Sequence, residues 1–245
     1  MIICVTRNNL ELTKKCVPTL LEQCSGAADI LVLDNASTDG TVQWLRTQGV
    51  RYVSYARQKS LAGVWNDGLN HAWRMGYKRA LVVNNDVELR DDTYSRLSNQ
   101  FIFTSDRKMM ICSGVSVREL PEQDAHANSK KGKRTMPTRP HPDFSCFMIS
   151  RDGYMRVGPF DEQFEGAYCE DNDYHVRVVK AGLKAVCVDV PFLHHGAQTV
   201  KRADTEEKER IKRLAEENRK RFWRKWGCWP GSKQYEELFS AEVGK

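Results

Sequence analysis

Along the first 120 residues, short apolar runs alternate with stretches of helical periodicity, the pattern of a mostly parallel sheet with crossover helices. Runs at 1–6, 30–34, 51–55, 80–84 and 109–117 predict strands. Between the first two, Thr13, Cys16, Val17, Leu20, Leu21 and Cys24 recur at helical spacing. Leu61, Trp65, Leu69, Ala72 and Trp73 form a second stripe, with Ser60 placed to cap it. Both stripes read as core. Residues 118–143 break the rhythm with Pro121, Pro137, Pro140 and Pro142, and such a segment is a functional loop or a disordered one. The pattern resumes with a strand at 144–150, a turn through Gly158-Pro159, a helix near 170–181 closed by Gly182, and a last strand at 184–193. A charged helix from about 204 to 226 sets Ile211, Leu214, Ala215, Asn218, Phe222 and Trp226 on one side. The expected class is α/β: one domain at 1–200, with halves at 1–117 and 118–200, and a C-terminal helical extension at 201–245.

Composition narrows this picture only slightly. The chain of 245 residues can bury a substantial core. No apolar run approaches the roughly 20 residues that span a bilayer, and the first strand lacks the basic flank of a signal peptide. A soluble, cytoplasmic protein is the expectation. The eight cysteines have no zinc-ligand spacing. Cys4, Cys112, Cys146 and Cys187 fall in predicted strands, and Cys16 and Cys24 on a helix, so buried reduced thiols are expected. The net charge of +6 is unevenly placed. Residues 127–142 carry Lys130, Lys131, Lys133, Arg134 and Arg139 without an acid, and 219–225 repeat the pattern with aromatics. Both stretches suit either solvated surface or an anionic partner.

Candidate chemistry collects at the ends of the predicted strands, where ligands gather in α/β proteins. The strand at 80–84 runs into Asn84, Asn85 and Asp86, an oxygen-rich cluster suited to a hard divalent cation. An Asn/Asp turn would also explain the tripeptide. Thr6, Arg7, Asn8 and Asn9 close the first strand. Asp34 through Thr41 close the second and open a helix, where Ser37 would cap and Asp39 would favour the dipole. Asp34 is placed to accept hydrogen bonds from a nucleobase or ribose. Glu170, Asp171 and Asp173 put three carboxylates in one helical turn, more than capping requires, and one of them could take a proton from a hydroxyl. His194 and His195 leave the last strand, and either ring could complete a metal shell begun by Asp86.

In order and spacing, these residues resemble glycosyltransferase family 2, enzymes of the GT-A fold, and its rhamnosyltransferase-like bacterial or phage members. The resemblance covers roughly residues 2–226. It rests on Val5 to Asn8, Asp34 to Thr41, Gly63 to Asn66, Asn84-Asn85-Asp86, Phe164 to Asp173, Lys180-Ala181-Gly182, His194 followed by Thr199, and Phe222 to Gly227. It implies a Rossmann-like mixed sheet, a UDP-, GDP- or dTDP-sugar donor, and Mn²⁺ or Mg²⁺ on its diphosphate. Thr6, Arg7, Asn8, Asp34, Asn66, Asn84 and Asn85 are the implied nucleotide-sugar contacts. Asp86 and His194 are the implied metal ligands, and Asp171 the implied base beside Glu170. The family's Asp-x-Asp element departs here, because its first acid is Asn84.

The implied reaction is inverting transfer of a sugar to an acceptor hydroxyl on a glycan or lipid-linked saccharide, with peripheral attachment at the inner membrane face. Two alternatives stand beside it. A hydroxylated base in DNA could be the acceptor, gripped through 127–142 and 219–225. A sugar-1-phosphate nucleotidyltransferase would need a Gly-rich, Lys-bearing loop after the first strand, where this chain has Arg7-Asn8-Asn9-Leu10. The 118–143 loop is the expected cover for the acceptor.

Overall fold

The strand β1 (Ile2–Thr6) is buried at every position, as expected of a strand covered on both faces. Its side chains alternate between two cores. Ile3 and Val5 join Leu31, Leu33, Trp65 and Leu69 on one face. Ile2 and Cys4 join Val32, Cys16, Val17 and Leu20 on the other. The structure, a computed structural model, describes residues 1–24, 29–103, 108–119, 137–139, 141–196 and 204–240. Lys130, Lys131, Lys133, Arg134, Thr199 and most of the 118–143 segment lie outside the described residues.

After β1 come α1 (Leu10–Glu22), β2 (Ile30–Asp34), α2 (Thr41–Thr47), β3 (Arg51–Ser54), α3 (Leu61–Arg74), β4 (Arg79–Asn84) and β5 (Val87–Glu88). Next are α4 (Thr93–Phe103), β6 (Met109–Val117), β7 (Pro137–Arg139), β8 (Cys146–Ser150), α5 (Arg151–Val157) and α6 (Glu170–Lys180). The chain ends with β9 (Lys184–His194), α7 (Thr205–Trp226) and α8 (Lys233–Ser240). Ser60 caps α3 as expected, its hydroxyl accepting from Gly63 N. Gly68 is obligatory for the packing of α3, since a Cβ there would come within 2.6 Å of Ile3 Cγ2.

The sheet order is β3-β2-β1-β4-β8-β6-β9-β5, with β7 paired to β9. Pairing is parallel for β1–β2, β1–β4, β2–β3 and β6–β9. It is antiparallel for β4–β8, β6–β8, β5–β9 and β7–β9. The mostly parallel reading thus describes the N-terminal half, while β8 enters from the opposite end and makes the whole sheet mixed. This topology decides where the site is. The C-terminal ends of β1, β4 and β9 and the N-terminal end of β8 all open on one edge.

α7 and α8 lie against that edge through Phe222, Cys228 and Tyr235, which cluster with Phe164, Cys169 and Val176. A buried carboxylate fixes the arrangement. Asp173 takes Arg177 Nε at 2.9 Å, Lys225 Nζ at 2.8 Å and Trp226 Nε1 at 2.8 Å.

Several sequence expectations need correcting. α2 is capped by Gly40 in a left-handed conformation, and Ser37 makes no cap. Cys24 lies beyond the end of α1. The sequence pattern does not predict α4, β5, β7 or α5, and α8 falls within the helical extension expected at 201–245. None of the eight cysteines forms a disulfide, and seven of them are buried.

Candidate active site

Two loops at the sheet edge clamp one another before any ligand is considered. Asn8 and Asn9 both have positive φ, 53° and 59°, a conformation that asparagine tolerates better than most residues. Asn8 N donates to Ser37 Oγ at 2.7 Å, Asn8 Oδ1 accepts from Thr38 N at 2.8 Å, and Asp39 Oδ2 accepts from Leu10 N at 2.8 Å. The side chains of Asn8, Ser37 and Asp39 are therefore occupied in holding the β1 and β2 loops together.

A polar knot lies beneath. Thr6 is fully buried and its hydroxyl meets Thr13 Oγ1 at 3.0 Å. Asn85 Nδ2 points at Thr6 Oγ1, Thr13 Oγ1 and the Asn8 carbonyl, at 3.0, 2.9 and 3.1 Å. Asn66 is likewise internal. It donates to the Phe160 carbonyl and Glu162, and accepts from Phe160 N. The side chains of Thr6, Asn8 and Asn66, expected from the sequence to contact a ligand, are engaged here in stapling loops. None of the three lines the cavity described next.

The cavity at this edge has a volume of about 720 Å³. Of the sequence-derived candidates, Arg7, Asn84, Asn85, Asp86, Glu170, Asp171 and His194 all line it. Asp86 and His194 meet because β5 pairs with β9, Val87 facing His194. His194 Nε2 lies 3.3 Å from Asp86 Oδ2, while His195 Nε2 is held 2.6 Å from Glu88 Oε1. Of the two rings, His194 is the one that faces Asp86. Burial would lower the His194 pKa, but the hydrogen bond and charge of Asp86 outweigh it and raise it.

The opposite wall is the start of α6. Tyr168 and Cys169 both have positive φ, 83° and 72°, and strain of this kind needs support from its surroundings. Asn218 of α7 supplies it, its Nδ2 directed at the carbonyls of Glu165, Ala167 and Tyr168 at 2.8–3.1 Å. Asp171 Oδ1 accepts from Asn172 N at 2.7 Å. Burial pushes the Asp171 carboxyl up from the ordinary aspartate range, against hydrogen bonds from its own and the Asn172 backbone N–H. Burial, then the charge of Asp171, raises Glu170 well above its ordinary value.

Unpartnered buried atoms mark the site. Among the described residues, Arg7 Nη1, Trp65 Nε1, Asn84 Oδ1 and Glu170 Oε2 are buried without a hydrogen-bond partner, and all four residues line the cavity. Buried polar groups usually find a partner, so these four atoms are available to a ligand; three others, on His71, Trp73 and Gln100, lie away from the cavity. Asp34, which does not line the cavity although its neighbour Asn35 does, adds a fifth. Its Oδ2 accepts from Ser54 Oγ at 2.8 Å while its Oδ1 has no partner. For a metal, Asp86 and His194 offer one hard oxygen and one borderline nitrogen. No group of three or more His, Cys, Asp or Glu arranged to hold an ion exists among the described residues. The pair thus fits a cation only as a partial shell that ligand oxygens complete.

Sequence reasoning overlooked Asp143 and placed Tyr168 and Arg219 only within the 164–173 and 219–225 stretches; all three line the cavity. Asp143 faces both reactive walls, since its charge raises the pKa of Asp171 and of His194. The acid-free 127–142 stretch ends one residue before it, the one signal that a carboxylate there stands out. α7 roofs the cavity. Its Glu207 lies 3.6 Å from Arg7, and its Arg210 reaches Gln58 Oε1 at 3.0 Å.

Residues 1–158 match the sequence model of Glycosyl transferase family 2. The low-salt glycan biosynthesis hexosyltransferase Agl10 of Haloferax volcanii is 23% identical over 196 residues, which cover 73% of this chain. The match spans 62% of that relative's length. Among solved structures, the mannosyltransferase PcManGT from Pyrobaculum calidifontis, in complex with GDP-Man and Mn²⁺, aligns with a TM-score of 0.65 at 18% identity. That alignment covers 99% of this chain and 68% of the other. The glucosyl-3-phosphoglycerate synthase from Mycobacterium tuberculosis, with Mn²⁺, UDP and glucosyl-3-phosphoglycerate, aligns with a TM-score of 0.60 at 14% identity, covering 89% and 77%. These likenesses establish the fold as GT-A.

Proposed function

Because the chain belongs to glycosyl transferase family 2, we propose that it is a metal-dependent, inverting hexosyltransferase using a nucleotide-sugar donor. The observation that carries this is the meeting in one cavity of the Asp86–His194 pair and the Asp171 carboxyl. GDP-Man or UDP together with Mn²⁺ in the neighbouring structures supports the choice of donor and cation.

Asp34, through its unpartnered Oδ1, accepts from the base or ribose. Arg7 offers its free Nη1 to the diphosphate. Asp86 and His194 hold Mn²⁺ or Mg²⁺, which when bound supplies positive charge to the departing nucleoside diphosphate. Asp171 takes the proton of the acceptor hydroxyl, so that the oxygen attacks the anomeric carbon opposite the leaving group and configuration inverts. Glu170, held toward its neutral form beside Asp171, limits negative charge at the base. The acceptor is a glycan or lipid-linked saccharide. At Asn84 the family's first acid is replaced by an amide, which leaves Asp86 as the sole carboxylate of the tripeptide.

Isothermal titration of UDP, GDP and dTDP with and without Mn²⁺ tests these assignments. Asp86→Ala should lose the Mn²⁺-dependent part of binding, whereas Asp171→Asn should bind like the parent and fail in turnover. Equal Mn²⁺-dependent binding by parent and Asp86→Ala would remove Asp86 from the metal role.

A further inference from the structure

The end of α7 builds an exposed aromatic pair that the reaction does not use. Phe222 is fully buried, so its neighbour Trp223, about 100° further around the helix, must face outward. Gly227 ends the helix in a left-handed conformation and its N–H returns to the Trp223 carbonyl at 2.7 Å. Cys228 is buried, and the reversed chain brings Trp229 back onto Trp223. The two indoles stack with ring centroids 6.1 Å apart at 27°. They stay 47% and 43% exposed. Buried residues on either side hold an apolar surface pair that no core contact requires.

The stretch of chain that carries the pair is basic, with acids only at its flanks. From Asn218 to Tyr235 the chain has six basic residues and no acid. Lys225 is committed to Asp161 and Asp173, and Arg221 to Asn218. Arg219, Arg224 and Lys233 make no ion pair among the described residues, and Lys220 is exposed beside Glu216. Paired tryptophans with a basic collar match the boundary of an anionic bilayer, where indoles sit at headgroup depth and cations meet lipid phosphate. Single-stranded nucleic acid would need open ring faces for base stacking, and each of these indoles already turns a face to the other. Arg219 and Pro230, neighbours of the pair, line the cavity, so the surface borders the cavity mouth.

We propose that Trp223, Trp229 and the collar of Arg219, Lys220, Arg224 and Lys233 form a docking surface for an anionic phospholipid membrane. This names the lipid source of the acceptor, and in that respect rests on the proposed transferase reading. Its test does not depend on that reading. The full chain is mixed, without any sugar donor, with vesicles of phosphatidylglycerol and phosphatidylcholine or of phosphatidylcholine alone. Preferential sedimentation with the anionic vesicles is expected, with tryptophan fluorescence quenched by brominated acyl chains. The quenching needs no variant, so folding does not confound it. Trp223→Ala with Trp229→Ala should weaken vesicle binding more than tenfold, and Arg224→Ala about fivefold, the effect of one basic residue at an anionic surface. Absent binding, unquenched tryptophans, or full binding by the double variant would overturn the proposal. So would a DNA oligonucleotide that displaces the vesicles and loses affinity in the same variants. Donor turnover in vesicle-free buffer tests the transferase reading separately.

Discussion

Asp171 sits at the mouth of a helix that should favour its anion, yet burial raises its pKa. Burial is the larger effect, and this has a kinetic consequence. A base must be deprotonated to act, so activity is lost as pH falls through the pKa of Asp171. That midpoint should lie above the ordinary aspartate value of about 3.9. Asp171→Asn should lower turnover by about 10²–10⁴, the usual worth of a positioned base, and remove this acid limb from whatever rate remains. A pH–rate profile of parent and variant measures both. The residues around Asp171 also show what a sequence can and cannot convey. Asp86, His194, Arg7 and Asp171 stand out in the sequence because acids, histidines and arginines at strand and helix ends have few structural uses, and all four line the cavity. Thr6, Asn8 and Asn66 are harder to read, because small polar side chains at the same positions also staple loops, and the three here do so.

α6 and α7 depend on one another. Asn218 holds the strained Tyr168–Cys169 turn from across the cavity, so its effect on catalysis passes through backbone geometry. Asn218→Ala leaves three carbonyls without that donor and should cost about 1–3 kcal/mol of stability. Turnover should fall while nucleotide affinity stays near that of the parent, a split that thermal melts and titration calorimetry detect.

On the other side of α6, His175 is buried at 3% exposure. It stacks on Phe239 at 4.3 Å, beside Tyr235 of the same helix, and meets His141 Nδ1 at 3.3 Å, with His141 in turn on Glu236. Burial, then the neighbouring His141, lowers its pKa to about 3. The unfolded chain binds this proton near pH 6.5 and the folded one does not. Stability is therefore intact above pH 6.5 and is lost as pH falls toward 3, by up to about 1.4 kcal/mol per pH unit. His175→Gln should flatten that slope in urea melts at pH 7 and pH 5. None of these cross-helix contacts was readable in advance. The long amphipathic pattern predicted α7, but only the buried Asp173, with Lys225 and Trp226 upon it, determines which way the helix lies.

In the molecule taken entire, the sheet is the part most legible from sequence. Strands buried on both faces appear as continuous apolar runs, and β1, β2 and β4 follow that rule along most of their length. The short β5 and β7 and the seven-residue α5 have too few positions for a period to emerge. The mixed pairing of β8 depends on which end of the sheet the chain re-enters, which composition does not encode. Yet that pairing, with β9 beside β6, is what brings His194 to Asp86 across more than 100 residues of chain. No described helix is long and apolar enough to cross a membrane.

The central claim is that this cavity breaks the bond between a sugar and a nucleoside diphosphate with a cation held at Asp86. Release of free nucleoside diphosphate from UDP-, GDP- and dTDP-hexoses by the purified chain, in Mn²⁺ or in EDTA, tests it most directly. The account predicts release from at least one donor in Mn²⁺, abolished by EDTA and reduced about 100-fold or more in Asp86→Ala. Release that ignores both EDTA and Asp86→Ala, or no release from any donor, would contradict it.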